Sequence, residues 1–384
     1  MPTSAHFGGA FARLRQLLAQ TGKCMCVGRV VSSVQIDSDD PAATDLLTAI
    51  VQVLAESGGW LHPQARLVCR DGDLSLQCPA DDGGPLVRVP HEAMVPVSRM
   101  PWTTTDDGLA FTDLPEGLAG PATEVAYLHV ALLNQCRKLA ELDRTHPLLA
   151  PLTPGVIEAV RAFRPRFRTR PIDPISLLWS TRCFRLSTGS GAPEPVAIPV
   201  VDLLDHHGAG ATGAGHGSAF TVPISRPRGD DTCLLDYGWQ RDAIGMAVVY
   251  GFADVHADIA HSAPLHLLAW PGSIEVRGVG RDAHGRLLPM RARIEGDHLD
   301  ISHLSFGAAR APHVELMAAT GLDRGRAQLV IEAVAESNLE RVAALERTAI
   351  ATEGPAATTL LHAAQRQAAV IRTFLEHVRD GSLT

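Results

Sequence analysis

The order of helical and strand-like stretches along the 384 residues constrains the fold more than any other feature. Apolar residues recur at three- and four-residue intervals in 9–20 and 43–57, which predicts a helix in each. Short apolar runs separated by Asp, Gly and Pro follow from about 65 to 98, which is typical of strands. The remaining segments alternate in the same way: helical over 121–186, strand-like over 196–252 and 263–306, and helical over 312–379.

This order predicts an α+β fold in which a β core is interrupted by one helical insertion and closed by a helical C-terminal domain. A doubly wound sheet would alternate strand and helix, and a helix bundle would have no strand-like segments. We expect five parts: an N-terminal helical extension (1–44), a first β segment (45–100), a helical insertion (101–178), a second β segment (179–262), and a strand patch with a helical C-terminal domain (263–384).

The composition argues against several classes of function. The net charge of −8 disfavours a general nucleic-acid-binding protein, which needs a basic surface to replace phosphate counterions. No apolar stretch approaches the roughly 18 residues that span a bilayer. The N-terminus places Arg13 and Arg15 inside its apolar pattern, unlike a signal peptide. We therefore expect a cytoplasmic, Ala/Arg-rich, bacterial-like protein without a membrane or nucleic-acid partner.

The cysteines and histidines do not indicate a metal site. The seven cysteines are scattered, and even the closest pair, Cys24 and Cys26, lacks the spacing of a zinc motif. The 17 histidines include no HExxH pattern. The glycine-rich loop at 206–218 lacks the lysine of a phosphate-binding loop. We expect no metal.

Short motifs occur in a fixed order along the chain. Thr181-Arg182-Cys183-Phe184 comes first, followed by Ile198-Pro199-Val200-Val201-Asp202-Leu203-Leu204-Asp205-His206, then Leu234-Leu235-Asp236-Tyr237-Gly238, then Val248-Val249-Tyr250-Gly251-Phe252. Near the start, the helical stretch at 45–56 precedes Gly58-Gly59-Trp60 and a strand-like run that ends in Val89-Pro90.

Together these motifs resemble the SET-domain methyltransferases of the Rubisco large-subunit lysine methyltransferase class, which includes the actin-histidine methyltransferase. That family has S-R-x-F, then V-P-x-x-D-M-x-N-H, then a strand ending in I-x-Y-G, with Y-G-F about a dozen residues later. The resemblance covers about 45–380. It implies a SET-type β core with a helical insertion, and a helical C-terminal domain that recognises the substrate.

The resemblance also implies a site for S-adenosylmethionine. Tyr237 would be the catalytic residue that lines the transfer channel. Arg182 would pair with the cofactor carboxylate, a role that suits a guanidinium fork. The further assignments are Gly72, Asp205 and His206 to cofactor binding, and Phe184, Tyr250 and Phe252 to the substrate channel. The same residues also have structural readings: Tyr237, Tyr250 and Phe252 as core aromatics, and Arg182 as half of an ion pair.

Three departures from the family pattern concern this site. The glycine-rich entry loop has only Gly72, within Asp71-Gly72-Asp73-Leu74-Ser75-Leu76. Asp205 stands where the family has Asn, which replaces an amide by a group that only accepts hydrogen bonds when ionised. Arg241-Asp242 stands where the family has Ser-Asn.

The leading functional hypothesis is an S-adenosylmethionine-dependent N-methyltransferase that acts by in-line displacement. Its acceptor would be a Lys or His side chain of a protein, or a small-molecule nitrogen. Two alternatives remain: a SET-fold enzyme with other small-molecule chemistry, and a non-catalytic SET-fold binding protein. Retention of Tyr237 and Arg182 favours catalysis, whereas loss of the glycine loop argues against standard cofactor binding.

Overall fold

The computed structural model describes residues 34–380, with gaps at 81–82, 107, 112–117, 119, 188–192, 238–240, 270–271, 283–285 and 308–310. Val34–Thr384 forms one compact unit. The helix predicted at 9–20 and Gly238 of the Tyr-Gly motif lie outside the described residues.

The first β segment surrounds one amphipathic helix. Asp40 caps this helix by accepting from Ala42 N at 2.8 Å, and Pro41 fits its first turn, where no N–H is needed. The elements are β1 Gln35–Ser38, α1 Pro41–Glu56, β2 Trp60–Leu61, β3 Arg66–Arg70, β4 Asp73–Gln77, β5 Pro85–Pro90, β6 Trp102–Thr105 and β7 Gly108–Phe111. β1, β3 and β4 form a three-stranded sheet. The apolar face of α1 is buried, so the predicted helix is confirmed within two residues of its bounds.

The insertion consists largely of four helices, which follow the hairpin of β6 and β7. They are α2 Pro121–Gln135, α3 Lys138–Thr145, α4 Pro154–Arg161 and α5 Pro174–Arg182. Thr153 and Asp173 cap α4 and α5 through their side-chain oxygens, each followed by a proline in the first turn. The helical pattern predicted to 186 ends at Arg182, because Cys183–Leu186 pairs with a later strand.

The second β segment joins the first across this insertion. Its elements are β8 Cys183–Leu186, β9 Glu194–Ala197, β10 Asp205–Ala211, β11 Ala214–His216, β12 Ala219–Pro223, β13 Leu234–Leu235 and α6 Ala243–Tyr250. β12 runs antiparallel to β5, with Phe220 opposite Val89. β10 runs parallel to β13, with Asp205 opposite Leu234. These two pairings bring together residues that are far apart in sequence.

The strand-like pattern predicted through 252 is wrong over Ala243–Tyr250, which is helical. Asp242 caps this helix through a bond from Gly245 N at 2.7 Å, and Gly251 ends it in the left-handed conformation. Periodicity does not separate a short buried helix from a buried strand, because both are apolar on all sides.

The C-terminal part combines a small sheet with a helical hairpin. Its elements are β14 Ala260–His261, β15 Leu265–Leu267, β16 Ser273–Val276, β17 Ala292–Glu295, β18 His298–Ile301, β19 Ser305–Phe306, α7 Pro312–Thr320, α8 Arg324–Ile350 and α9 Pro355–Arg379. β15, β16, β18 and β17 form one sheet. The long helices α8 and α9 pack on each other and, through α9, on α6. The α+β class is therefore confirmed.

Among the described helices, none combines the length and apolarity that crossing a membrane requires.

Candidate functional site

A cavity of about 430 Å³ lies where the helical insertion meets the second β segment. Five of the eight predicted site residues line it, namely Arg182, Asp205, Tyr237, Tyr250 and Phe252. The other lining residues come from β4, α3, α5, the turn before β10 and the end of α6, and they are Asp73, Leu74, Ser75, Lys138, Glu141, Leu142, Thr145, Leu178, Thr181, Asp202, Leu203 and Gly251. The cavity is thus built from residues widely separated in sequence.

Tyr237 is held at both its backbone and its hydroxyl. Its N–H donates to Nδ1 of His206 at 3.0 Å, and its hydroxyl donates to the carbonyl oxygen of Leu204. Burial raises the pKa of the Tyr237 hydroxyl above its ordinary value, and the charge of Asp205 adds to this effect. Tyr237 is therefore a neutral phenol at physiological pH, suited to orienting a ligand and unsuited to accepting a proton.

Two aromatic side chains continue the wall beside Tyr237. The rings of Tyr250 and Phe252 lie 5.3 and 6.2 Å from its ring, measured between centroids. Tyr250 also donates a hydrogen bond to the carbonyl oxygen of Tyr237 at 3.3 Å. Gly251 between them has φ of 81°, and a Cβ there would lie 2.6 Å from Cδ2 of His146. Only glycine combines that conformation with so close an approach.

His206 lies behind Tyr237, outside the cavity lining. Because its Nδ1 accepts from Tyr237 N, its Nε2 carries the proton and faces Oδ2 of Asp254 at 3.3 Å. Burial raises the pKa of Asp254, but the hydrogen bond with His206 and the neighbouring donors outweigh burial and hold this pKa below its ordinary value. The Asp254 carboxylate thus holds His206 in place through a buried, charge-assisted contact, and His206 in turn accepts the hydrogen bond from Tyr237 N.

Arg182 reaches the cavity from the end of α5. Its Nη1 donates to the carbonyl oxygen of Asp202 at 3.4 Å and lies 3.9 Å from Oδ2 of the same residue. The side chain of Asp202 is almost fully buried, and its Oδ2 also lies 2.7 Å from Nε2 of His129, in a geometry that is not a hydrogen bond. A guanidinium has five N–H donors, so Arg182 retains donors for a ligand. Arg182 can therefore keep its ion pair with Asp202 and also bind a ligand in the cavity.

The sequence patterns missed Lys138, the second cation of the cavity. Its side chain is mostly buried, and Nζ contacts Oδ1 of Asp73 at 3.0 Å and Oε2 of Glu141 at 2.8 Å. Arg137, in the left-handed conformation at φ of 51°, turns the chain between α2 and α3 so that Lys138 begins the new helix. A lysine followed three residues later by a glutamate was the available signal, but it does not reveal the distant partner Asp73.

Asp205 contributes a carboxylate that is exposed to the cavity. Partial burial raises the pKa of its carboxyl group, with Arg228 opposing this effect and Asp73 adding to it. Within the part of the chain that the structure describes, no side chain makes a hydrogen bond or ion pair with this carboxylate.

Gly72 and Phe184 lie away from the cavity lining. Asp71 and Gly72, with φ of 50° and 82°, form the two-residue turn between β3 and β4. A Cβ on Gly72 would lie 3.1 Å from the carbonyl oxygen of Cys136, so this turn packs against the end of α2. Phe184 packs against Phe220, with ring centroids 5.5 Å apart.

Asp242, one of the three departures, points away from the cavity. Its Oδ1 lies 2.9 Å from Nη2 of Arg164, and its Oδ2 accepts from Gln367 Nε2 at 3.1 Å and from His261 N at 3.3 Å. This carboxylate ties α6 to the insertion and to α9.

The described residues contain no cluster of three or more side chains that could hold a metal ion.

No protein-family model matches the sequence, and a search of curated proteins finds no match. Solved structures that resemble the chain include the SET domain of LSMT bound to lysine and AdoHcy, at 13% identity over 89% of this chain and 93% of that chain, with a TM-score of 0.41. They also include Rubisco LSMT bound to AdoMet, at 10% identity over 90% and 93% of the two chains, with a TM-score of 0.43. A third is Rubisco LSMT bound to sinefungin and monomethyllysine, at 11% identity over 90% and 93%, with a TM-score of 0.45.

Proposed function

We propose that the chain is a SET-type methyltransferase and that the 430 Å³ cavity binds S-adenosylmethionine (AdoMet). The observation that carries the proposal is the meeting of Arg182, Tyr237 and Tyr250 at one cavity, although they come from three separate sequence motifs. The volume falls within the range of about 300–1,000 Å³ that small-molecule sites occupy.

The charged lining suits a zwitterionic cofactor. Arg182 is proposed to hold the cofactor carboxylate, because a guanidinium matches a carboxylate with two parallel hydrogen bonds. The carboxylates of the lining offer partners for the cofactor's cationic groups. Gly72 would act indirectly, because its turn places Asp73 and Ser75 on the cavity wall. His206 would act through Tyr237, whose position it fixes.

The cofactor would supply an electrophilic methyl group for in-line displacement by a nitrogen, and the chain needs only to position the reactants and exclude water. Tyr237 is proposed to orient the reactants through its hydroxyl. Tyr250 and Phe252 would form the apolar side of the channel. The proposed acceptor is a Lys or His side chain of a protein, or a small-molecule nitrogen.

One observation favours a second candidate, in which the cavity holds a different small molecule. The only glycine of the expected entry loop lies in a closed hairpin turn against Cys136, so its backbone does not line the cavity. If the cavity binds a different small molecule, the protein should show no affinity for AdoMet or for its demethylated product AdoHcy.

Calorimetric titration with AdoMet and AdoHcy tests the proposal. We expect saturable binding to the wild type. We expect Arg182→Gln to weaken it about tenfold or more, because a hydrogen bond to a charged group contributes about 1.5–3 kcal/mol. Arg185→Gln, on an exposed side chain of β8 outside the lining, is the matched control and should bind like the wild type. Absence of heat and of a thermal shift at millimolar cofactor would exclude the methyltransferase proposal.

A further inference from the structure

The four carboxylates that line the cavity differ in what they contact. Three of them already contact a basic side chain, in the pairs Asp73–Lys138, Glu141–Lys138 and Asp202–Arg182 at 3.0, 2.8 and 3.9 Å. Asp205 is the fourth, and among the described residues it has neither an ion pair nor a side-chain hydrogen bond. An ionised carboxylate that is partly removed from water and unpaired costs free energy, which a cationic ligand would recover.

The total charge of the cavity indicates how many cationic charges it can accept. Four carboxylates and two cations, Lys138 and Arg182, give the lining a formal net charge of −2. AdoMet is a zwitterion with one further positive charge on sulfur, so its binding would leave one negative charge uncompensated. A further ligand of charge +1, bound beside AdoMet, would neutralise this remaining charge.

The position of Asp205 places its free carboxylate near the proposed transfer channel. Asp205 begins β10 opposite Leu234 of β13, three residues before Tyr237. Leu204, its neighbour in the chain, accepts the hydrogen bond from the Tyr237 hydroxyl. Asp205 and Tyr237 both line the cavity beside this pair of parallel strands, and the charge of Asp205 acts on the Tyr237 hydroxyl, whose pKa it helps to raise.

We infer that Asp205 binds the methyl acceptor as an ammonium ion and takes its proton before methyl transfer. This inference rests on the proposed function, and it narrows the acceptor to an amine that is cationic in solution. It assigns Asp205 to the acceptor, in contrast to the cofactor-binding role expected from the resemblance.

The step balances in protons and electrons. The ammonium gives one proton to the carboxylate, leaving a neutral amine and a carboxylic acid. The amine lone pair then forms the bond to the methyl carbon, while the carbon–sulfur bond breaks and its electron pair stays on sulfur. The proton on Asp205 leaves through the open cavity to water. Partial burial supports this role because it raises the pKa of Asp205 and so strengthens the carboxylate as a base.

The test is a titration of the AdoHcy-loaded protein with n-butylammonium, which carries the four-carbon chain and charge of a lysine side chain, and with 1-butanol, its neutral analogue. We expect the wild type to bind n-butylammonium at least tenfold more tightly than 1-butanol. Asp205→Asn should abolish that preference while leaving AdoHcy affinity within twofold of wild type. Asp205→Glu, which keeps the charge, should retain part of the preference. Asp231→Asn, at an exposed carboxylate outside the cavity, is the control.

The pH dependence gives a second readout. The charged groups that act on Asp205 are Arg228, Asp73, Arg182 and Lys138. Wild-type affinity for n-butylammonium should fall as acid protonates Asp205, whereas the affinity of Asp205→Asn should not follow that titration.

Several outcomes would overturn the inference. Equal affinity of wild type and Asp205→Asn for n-butylammonium would remove Asp205 from acceptor binding. A large loss of AdoHcy affinity in Asp205→Asn would assign the carboxylate to the cofactor's ammonium instead. Failure of AdoHcy to bind the wild type would contradict the proposed function itself. The ammonium titration of the unliganded protein would then still show whether Asp205 selects a cation.

Discussion

Replacing Asp242 by Asn removes a buried negative charge that joins three parts of the fold. The two carboxylate oxygens accept from Gly245 N at 2.7 Å, Arg164 Nη2 at 2.9 Å, Gln367 Nε2 at 3.1 Å and His261 N at 3.3 Å. Asn keeps the shape of the side chain but turns one oxygen into an N–H donor. Two of the four donors would then face another donor, and Arg164 would lose its anion.

The expected cost follows from these contacts. Breaking a buried ion pair by removing one partner costs about 3–5 kcal/mol. Because the side chain of Arg164 is 29% exposed and water can reach it, we expect the lower end of that range, about 3 kcal/mol. Urea denaturation with matched m-values measures the difference in the free energy of unfolding. Glu336→Gln, which breaks an exposed ion pair with Arg379, is the control and should change stability by about 0.5 kcal/mol or less.

The stability difference between wild type and Asp242→Asn should also depend on pH. Burial raises the pKa of Asp242, but Arg164 and the hydrogen-bond donors outweigh burial and hold this pKa below its ordinary value. Its contribution is therefore complete above the unfolded-state pKa and is lost as pH falls through the folded-state pKa. As pH falls through this range, the difference in the free energy of unfolding between wild type and Asp242→Asn should therefore disappear. A variant as stable as wild type at pH 7, or one that stays folded but loses AdoHcy affinity, would refute the structural role assigned to Asp242.

Two further predictions follow from side chains around the cavity. Tyr237→Phe should lower methyl transfer from AdoMet to n-butylamine, followed by mass spectrometry, by about tenfold to a hundredfold, because a group left without its hydrogen-bond partner costs about 1–3 kcal/mol. AdoHcy affinity should stay within twofold, and unchanged transfer would remove the hydroxyl from the mechanism. Burial lowers the pKa of His146 to about 4, so this neutral histidine contributes stability above the unfolded-state pKa that is lost as pH falls toward 4. Urea denaturation at pH 7 and pH 5 should show a loss of about 2 kcal/mol that His146→Asn reduces, and an equal loss in that variant would contradict the assignment.

Much of the fold could be predicted from local patterns. The helix at 43–57 was found because its cap, its proline and its apolar spacing all indicate the same structure. The strand at Cys183–Leu186 was missed because its conformation depends on pairing with Glu194–Ala197, a partner that helical periodicity in the flanking residues does not reveal. Tertiary pairing overrode the local pattern there.

The candidate site likewise contains some residues that the sequence motifs predict and others that depend on contacts between distant parts of the chain. The order of the motifs predicts that Arg182, Asp205 and Tyr237 belong to one site, and the structure brings them to one cavity. Lys138 was missed because its significance arises from a contact with Asp73, 65 residues away in the chain. The orientation of Asp242 depends on partners as distant as Gln367, so its resemblance to a family position gave no guide to its direction.

A crystal structure of the protein grown with AdoHcy would test the central claim most directly. We predict AdoHcy in the 430 Å³ cavity, with its carboxylate on Arg182 and its sulfur facing the channel beside Tyr237. A ligand bound instead in the separate cavity of about 470 Å³ beside Trp102 and Trp179, or bound without contact to Arg182, would contradict the account.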